Sequence, residues 1–171
     1  AQACLLLLNR PTGYYPRLRQ VLVYPRAFWV LHTHSDEHGL VHGGREARVG
    51  ESWDEGQVIL AWDETRDSAR IPDDAFNVVL HEFAHYLDAE GRGLALRAAE
   101  ASRESPSSGR ARAIDAWHKD LVAEYAALCD TVDRGEPTFL DPYAAEDEIE
   151  FFAVASEEFI ECPTELRTAH S

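Results

Sequence analysis

His81-Glu82-Phe83-Ala84-His85 sets two imidazoles one helical turn apart with a glutamate between them. Residues i and i+4 of a helix share a face, so both histidines can reach one ion. Two neutral ring nitrogens at ~2.0–2.1 Å suit Zn²⁺. Glu82 then stands beside the ion, placed to take a proton from a water molecule. That is the arrangement of metal-assisted hydrolysis, most often of a peptide bond. The pentapeptide alone also fits a surface helix with two histidines and a solvated glutamate, so its neighbours decide.

Working outward, Pro72-Asp73-Asp74 reads as a helix start, with carboxylates in the first turn that suit the dipole. Gly91 and Gly93 read as its end. Between them Phe76, Val79, Leu80, Phe83 and Leu87 recur at helical spacing and form one apolar stripe. His81, His85 and Asp88 fall on the opposite side. Such a helix is expected to lie under a cleft.

A catalytic zinc usually takes three protein ligands and keeps one position open. The downstream candidates are His118, Asp120, Glu124 and the acidic run 146–158. Residues 145–160 read as a second amphipathic helix, with Ile149, Phe151, Phe152, Ala155 and Phe159 in a broad apolar arc. Glu150 and Glu157 share its other side. A carboxylate backed by phenylalanines is a better ligand than one in a fully solvated run, so Glu150 leads, with Glu157 and Glu146 behind it. The bland alternative makes 146–150 a charged helix start.

The chain has 171 residues, enough for one domain with a real core. No window approaches ~20 apolar residues, so no membrane span is expected. Leu5–Leu8 is too short for a signal-peptide core and reads as the end of a buried helix. A net charge of −15 argues against nucleic-acid backbones and anionic membranes as partners. Cys4, Cys129 and Cys162 form no close pairs, which fits reduced thiols in a cytoplasm.

Residues 20–25 and 27–32 are short β-rich runs, and 32–44 reads as a polar, Gly- and His-rich turn region. Strands are expected at 46–49 and 57–62. Residues 91–113 read as a mobile, solvated loop, and 114–128 as an amphipathic helix with Ile114, Trp117, Leu121, Val122 and Leu128 on one side. His118 lies off that stripe, at the surface. Strands segregated from helices argue an α+β fold. His32, His34, His38 and His42 are spaced as a second metal site would be on a helix. Gly39, Gly43 and Gly44 argue against a helix there, leaving a solvated loop.

Four motifs occur in order: Gly50-Glu51-Ser52-Trp53 through Trp62, H-E-F-A-H-Y-L-D at 81–88, L-D-P-Y-A-A at 140–145, and E-F-F-A-V-A-S-E at 150–157. Together they resemble the Mlc titration factor A family, over about residues 1 to 163. The resemblance implies a zincin-like metallopeptidase domain of the glutamate-zincin type, related to the catalytic domain of anthrax lethal factor, with a small mixed or antiparallel sheet. It implies one zinc per chain, held by His81, His85 and Glu150, with Glu82 as general base. It gives Tyr143, seven residues before Glu150, the role of hydrogen-bond donor to the transition state. It implies that strand 58–62 is an edge strand that holds an extended substrate. Val154 stands where some other glutamate zincins carry an acidic residue, so Glu157 or Asp88 is left to orient a histidine. Family members are longer at the N-terminus and this chain begins without Met, so the single domain at 1–171 is expected to lack an N-terminal segment.

Two functions compete. One is a zinc peptidase acting on peptides, in the resemblance an aminopeptidase. The other is a binding protein that captures a transcriptional repressor of the Mlc type and so influences sugar uptake. A purely structural metal site is a third reading, but a His₂Glu set is rarely structural. Glu82 favours catalysis, because neither capture nor metal binding requires it.

Overall fold

Val58-Ile59-Leu60-Ala61 is an apolar run without alternation, as a strand buried on both faces requires. In the computed structural model, which describes residues 1–8, 15–35, 41–53, 56–102 and 109–169, these residues are buried and form the middle of a three-stranded mixed sheet. We number its strands in chain order, with β5 spanning Gln57–Ala61. β1 (Gln20–Tyr24) pairs parallel to β5, Gln20 opposite Gln57. β4 (Gly50–Trp53) pairs antiparallel on its other side, Gly50 opposite Leu60. The strand expected to be an edge is therefore the central one, and β4 takes the edge.

β2 (Phe28–Ser35) and β3 (Val41–Arg48) form a separate antiparallel pair, from Phe28 opposite Arg48 to Ser35 opposite Val41. Much of the region that reads as a turn is thus strand. A ladder is closed by backbone groups, which a His- and Gly-rich run supplies as well as an apolar one. His38 lies outside the described residues, as do the side chains of His32, His34 and His42.

Helix α1 (Trp62–Ser68) follows β5 directly, so the strand stops one residue earlier than its pattern indicates. The histidine-bearing helix, α2, spans Val78–Ser102. It starts at Val78 because Asn77 caps it. The Asn77 Oδ1 accepts the N–H groups of Val79 and Leu80 at 3.2 Å each, and its carbonyl accepts the N–H of His81 at 2.9 Å. Ala75, with φ 58°, bars a continuous helix from Pro72. Phe76 consequently precedes the helix and stays half exposed, while Val79, Leu80 and Phe83 are buried and Leu87 packs beside them. The helix also continues through Gly91 and Gly93. Each costs ~1 kcal/mol, but the strong helix formers Leu94-Ala95-Leu96-Arg97-Ala98-Ala99-Glu100 follow, and neither glycine takes the positive φ of a helix stop. Most of 91–113 is therefore helical.

Helix α3 (Gly109–Asp133) is longer at both ends than its stripe indicates. Leu121, Val122 and Leu128 are half buried, Trp117 is more exposed, and His118 lies at the surface. A 3-10 turn at Pro142–Ala145 is capped by Asp141, which accepts the N–H of Tyr143 at 2.8 Å. Asp147 then caps α4 (Glu148–Glu161), accepting the N–H groups of Ile149 and Glu150 at 2.7 and 2.8 Å. Phe151 and Val154 are buried, but Phe159, expected in the apolar arc, is exposed. A short α5 (Pro163–Ala169) follows. At the start of the chain, Gln2–Leu7 is a 3-10 helix in which Leu7 is buried while Leu5 and Leu8 face outward.

One apolar core joins β5 to α2 through Val58, Leu60, Val78, Val79, Phe83 and Tyr86. A second joins α4 to α3 through Leu140, Phe151 and Val154, with Leu121, Tyr125 and Leu128 alongside. The architecture is α+β with a small mixed sheet. Among the described residues no helix is long and apolar enough to cross a membrane.

Candidate metal centre

The two cores meet where α2 faces α4, and the side chains expected to hold a metal converge there. His81 Nε2 lies 3.0 Å from His85 Nε2 and 3.0 Å from Glu150 Oε2, and His85 Nε2 lies 3.5 Å from the same oxygen. Tetrahedral bonds of ~2.0–2.1 Å set ligand atoms ~3.3 Å apart, so this triangle matches one face of such a site. Two imidazole nitrogens turned toward each other repel unless a proton or a cation lies between them. Among the described residues this is the group of three whose ligand atoms come together. His118, Asp120, Glu124 and Glu146 are exposed and stand outside it.

Glu157, the runner-up as ligand, has a different position. Its Oε1 sits 2.7 Å from His81 Nδ1, and its other oxygen accepts the backbone N–H of Asn77. Holding Nδ1 from behind turns Nε2 toward Glu150, the way a carboxylate orients a metal-ligating histidine. Of the two residues expected to orient a histidine, Glu157 does so for His81. His85 Nδ1 has no hydrogen-bond partner among the described residues.

The charges support a cation-seeking site. Burial pulls the His81 imidazolium down, but Glu150 and Glu157 on its two nitrogens together raise it to about 10. Burial pushes the Glu150 carboxyl up, yet His81 and His85 outweigh it and hold the group well below its ordinary value. Without a metal the cluster retains a proton among these groups, in the place a divalent ion would take. Two neutral imidazoles and one carboxylate are a donor set suited to zinc.

Glu82 lies beside the cluster and is 5% exposed, and its Oε2 has no hydrogen-bond partner. Burial, reinforced by Glu150 and Glu51 and opposed by His81 and Arg48, pushes its carboxyl up to about 8. It fits there because Gly50 on β4 has no side chain; a Cβ would come within 2.3 Å of Glu82 Oε1. Nothing in the residue spacing marks Gly50 for this role. Asn77 was missed too, although an asparagine just before Val-Val-Leu is a helix-cap signal.

Tyr143 is half exposed, its ring 6.2 Å from that of His81. Burial first, then the charges of Glu150 and Glu146, raise its phenol, which therefore stays protonated as a donor. Gly50, His81, Glu82, His85, Tyr143, Glu150 and Glu157 line one cleft of about 1320 Å³.

Fold and site define a class first: an α+β protein with a helix-borne H-E-x-x-H completed by a glutamate from a second helix. Compared with known proteins, residues 1–171 match the family model described as glucose-regulated metallo-peptidase M90. The chain belongs to this M90 peptidase family, which includes Mlc titration factor A. It is 40% identical over 171 residues to the uncharacterized protein slr2042 of Synechocystis, covering 99% of this chain and 59% of that protein. It is 36% identical over 159 residues to Mlc titration factor A of Pectobacterium atrosepticum, covering 92% of this chain and 56% of the relative. With the Mlc titration factor A of Serratia proteamaculans it shares 37% over 146 residues, 84% of this chain and 52% of the relative. The chain thus spans between half and three fifths of the length of these relatives.

Proposed function

We propose that the chain carries the catalytic centre of a zinc-dependent peptidase with a zincin-like fold. The observation that carries this reading is a buried Glu82 carboxyl, its Oε2 without a partner, beside the converging atoms of His81, His85 and Glu150. A structural ion needs no such neighbour, and neither does a capture surface. In this reading His81, His85 and Glu150 hold one zinc per chain. Zinc, when bound, polarises a carbonyl oxygen and acidifies a water. Glu82 accepts the proton of the attacking water and returns it to the leaving amine, with a proton affinity that burial has moved toward neutrality. The Tyr143 phenol donates to the oxygen that gains charge as the carbonyl is attacked.

The substrate is a peptide, aligned by β4 instead of β5. The Ala61 N–H donates to the Val49 carbonyl at 2.7 Å, so Val49 and Ala61 form a hydrogen-bonded pair. By the alternation of antiparallel pairs, Gly50 and Ser52 turn their peptide groups away from β5. No third strand pairs with β4 among the described residues, and Gly50 and Glu51 line the cleft. An extended peptide can add to that edge and pass over Glu82. Aminopeptidase action is the mode taken from the family resemblance. The three cysteines are all free, which fits the cytoplasm.

The second reading is capture of a transcriptional repressor, after the name of the relatives, Mlc titration factor A. Metal analysis and a peptidase screen test both. Wild type should carry about one zinc, and His85→Ala should lose most of it; full occupancy in that variant would refute the ligand set. Glu82→Gln should keep zinc and lose hydrolysis by ~10² or more. Wild-type turnover in Glu82→Gln would remove it as base. If a repressor of the Mlc type is also captured, Glu82→Gln should still capture it.

A further inference from the structure

Strand β5 has a neighbour on each side, and both neighbours leave an open edge among the described residues. The β4 edge borders the cleft. The β1 edge is the opposite one, and no residue of β1 lines the cleft. Gln20 donates its N–H to the Gly56 carbonyl at 3.3 Å, as its register opposite Gln57 requires. Along a strand, successive residues send their backbone groups to opposite sides. Gln20, Leu22 and Tyr24 therefore bond to β5, and Val21 and Val23 turn their N–H and C=O groups outward.

The side chains are unusual for such an edge. Proteins blunt open edges with charges, prolines or bulges. Gln20-Val21-Leu22-Val23-Tyr24 contains neither a charge nor a proline. Val21 stands opposite Val58 and Val23 opposite Leu60, so they share the face that packs on α2. Val58 and Leu60 are buried there, but Val21 is 41% and Val23 55% exposed. The apolar face of the sheet thus runs on past the helix that covers it.

Charge indicates what fits this edge. The chain has a net charge of −15 and 31 acidic residues. Residues 15–35 hold none of those acids, and Arg17, Arg19 and Arg26 lie exposed at the two ends of β1. A second copy on this edge would set basic end against basic end, whichever way it ran. A strand with acidic ends would be attracted instead.

We propose that β1 is a docking edge for an extended segment of a partner protein, in which a short apolar run lies between acidic residues. The segment adds to the sheet beside β1, bonds to the backbone of Val21 and Val23, and covers their side chains. Its carboxylates lie by Arg19 and Arg26, and acids at both ends fit either strand direction. Arg19 and Arg26 are seven positions apart, so the acids of an extended partner are about seven residues apart as well. This surface is separate from the candidate metal centre and does not depend on hydrolysis.

The probe is a fluorescein-labelled peptide, Glu-Glu-Thr-Val-Thr-Val-Thr-Glu-Glu, blocked at both ends and added to the whole chain. Fluorescence anisotropy compares it with the same peptide carrying lysines in place of the glutamates. The acidic peptide should bind ~10-fold more tightly. Arg19→Glu combined with Arg26→Glu, both surface changes, should reverse that order. Val23→Pro removes one outward N–H and no bond to β5, and should weaken binding by ~5–10-fold; circular dichroism checks that it folds. Hydrogen exchange supplies a pattern that looser association would not produce. The Val21 and Val23 amides should exchange fast in the free chain and slow down with peptide bound, while Leu22 changes little. Equal affinity for the two peptides, an order that survives the charge reversal, or full binding by folded Val23→Pro overturns the proposal. So does protection that falls on Gly50 and Ser52, which would put the peptide on β4. A chain that sediments as a dimer, and loses the dimer with Val23→Pro, would overturn it in favour of a second copy.

Discussion

A methyl group at Gly50 would collide with three atoms of one side chain: Glu82 Oε1 at 2.3 Å, Cγ at 2.4 Å and Cδ at 2.6 Å. Gly50 is not among the glycines with positive φ, so what the position requires is space. Gly50→Ala should push Glu82 off its line and lower kcat by ~10–10², since an ångström at the reacting group is worth about that much. Metal content should hold, because the three atoms nearest the new methyl all belong to Glu82 and not to His81, His85 or Glu150. Steady-state kinetics beside zinc analysis would show it, and wild-type kcat would mean Glu82 shifts without penalty. Tyr143 carries the other single-atom prediction. Tyr143→Phe should reduce kcat by roughly 10–10³ with KM and zinc nearly unchanged, as its hydrogen bond matters only when the oxygen gains charge. The phenol is half exposed, so the melting temperature should barely move. An effect on KM alone would demote Tyr143 to a substrate-packing residue.

Among the elements, α2 and α4 are joined through Asn77 as well as through the ligands. Asn77 is 2% exposed. Its Oδ1 caps α2, its N–H reaches Glu157, and its Nδ2 donates to Glu161 Oε1 at 2.7 Å. Glu157 in turn holds His81, so a cap, an orienting carboxylate and a proposed ligand form one chain of contacts between the two helices. Asn77→Ala removes the cap and takes the amide donor away from the half-buried Glu161 carboxylate. We expect a loss of about 2–4 kcal/mol, summing a cap and a hydrogen bond to a charged group. Urea denaturation measures it; a change below about 1 kcal/mol would show that water replaces the amide at little cost. The pattern of Pro72-Asp73-Asp74 masked this start, because a proline followed by acids is as good a helix signal as an asparagine cap. The left-handed Ala75 between them separates the two, and local sequence does not announce it.

Across the whole molecule, a metal held by His81, His85 and Glu150 would tie one apolar core to the other. His81 and His85 belong to the helix packed under the sheet, and Glu150 to the helix packed on α3. An ion bound only in the folded state adds RT ln(1 + [L]/Kd), ~4 kcal/mol at a thousandfold excess over Kd. For a chain of this size that is a shift of about 10 °C. Scanning calorimetry with and without a chelator should find the metal-free protein lower by about that margin and recovered by added zinc. An unchanged melting temperature would mean that the two helices are already locked by packing and that the site is weakly occupied.

Helical phase is a local property, and what depends on it could be read directly. The i, i+4 spacing of His81 and His85, the stripe of Val79, Leu80 and Phe83, and the placing of Glu150 on an amphipathic helix all follow from ~3.6 residues per turn. The α+β class could be read as well, from strands grouped ahead of helices. Other features depended on packing between distant segments. That Glu150 meets the imidazole edges while Glu157 stands behind His81 is set by how α4 lies on α2, and both carboxylates suit the ligand role when only spacing is known. That β4 is the edge and β5 the centre follows from which strands find partners, and Gly50 matters only because Glu82, 32 positions along the chain, comes to rest against it. The sequence by itself determined which residues share a face; only the tertiary structure decided which faces meet, because that choice minimises exposed apolar surface and unpaired polar groups over the whole chain at once.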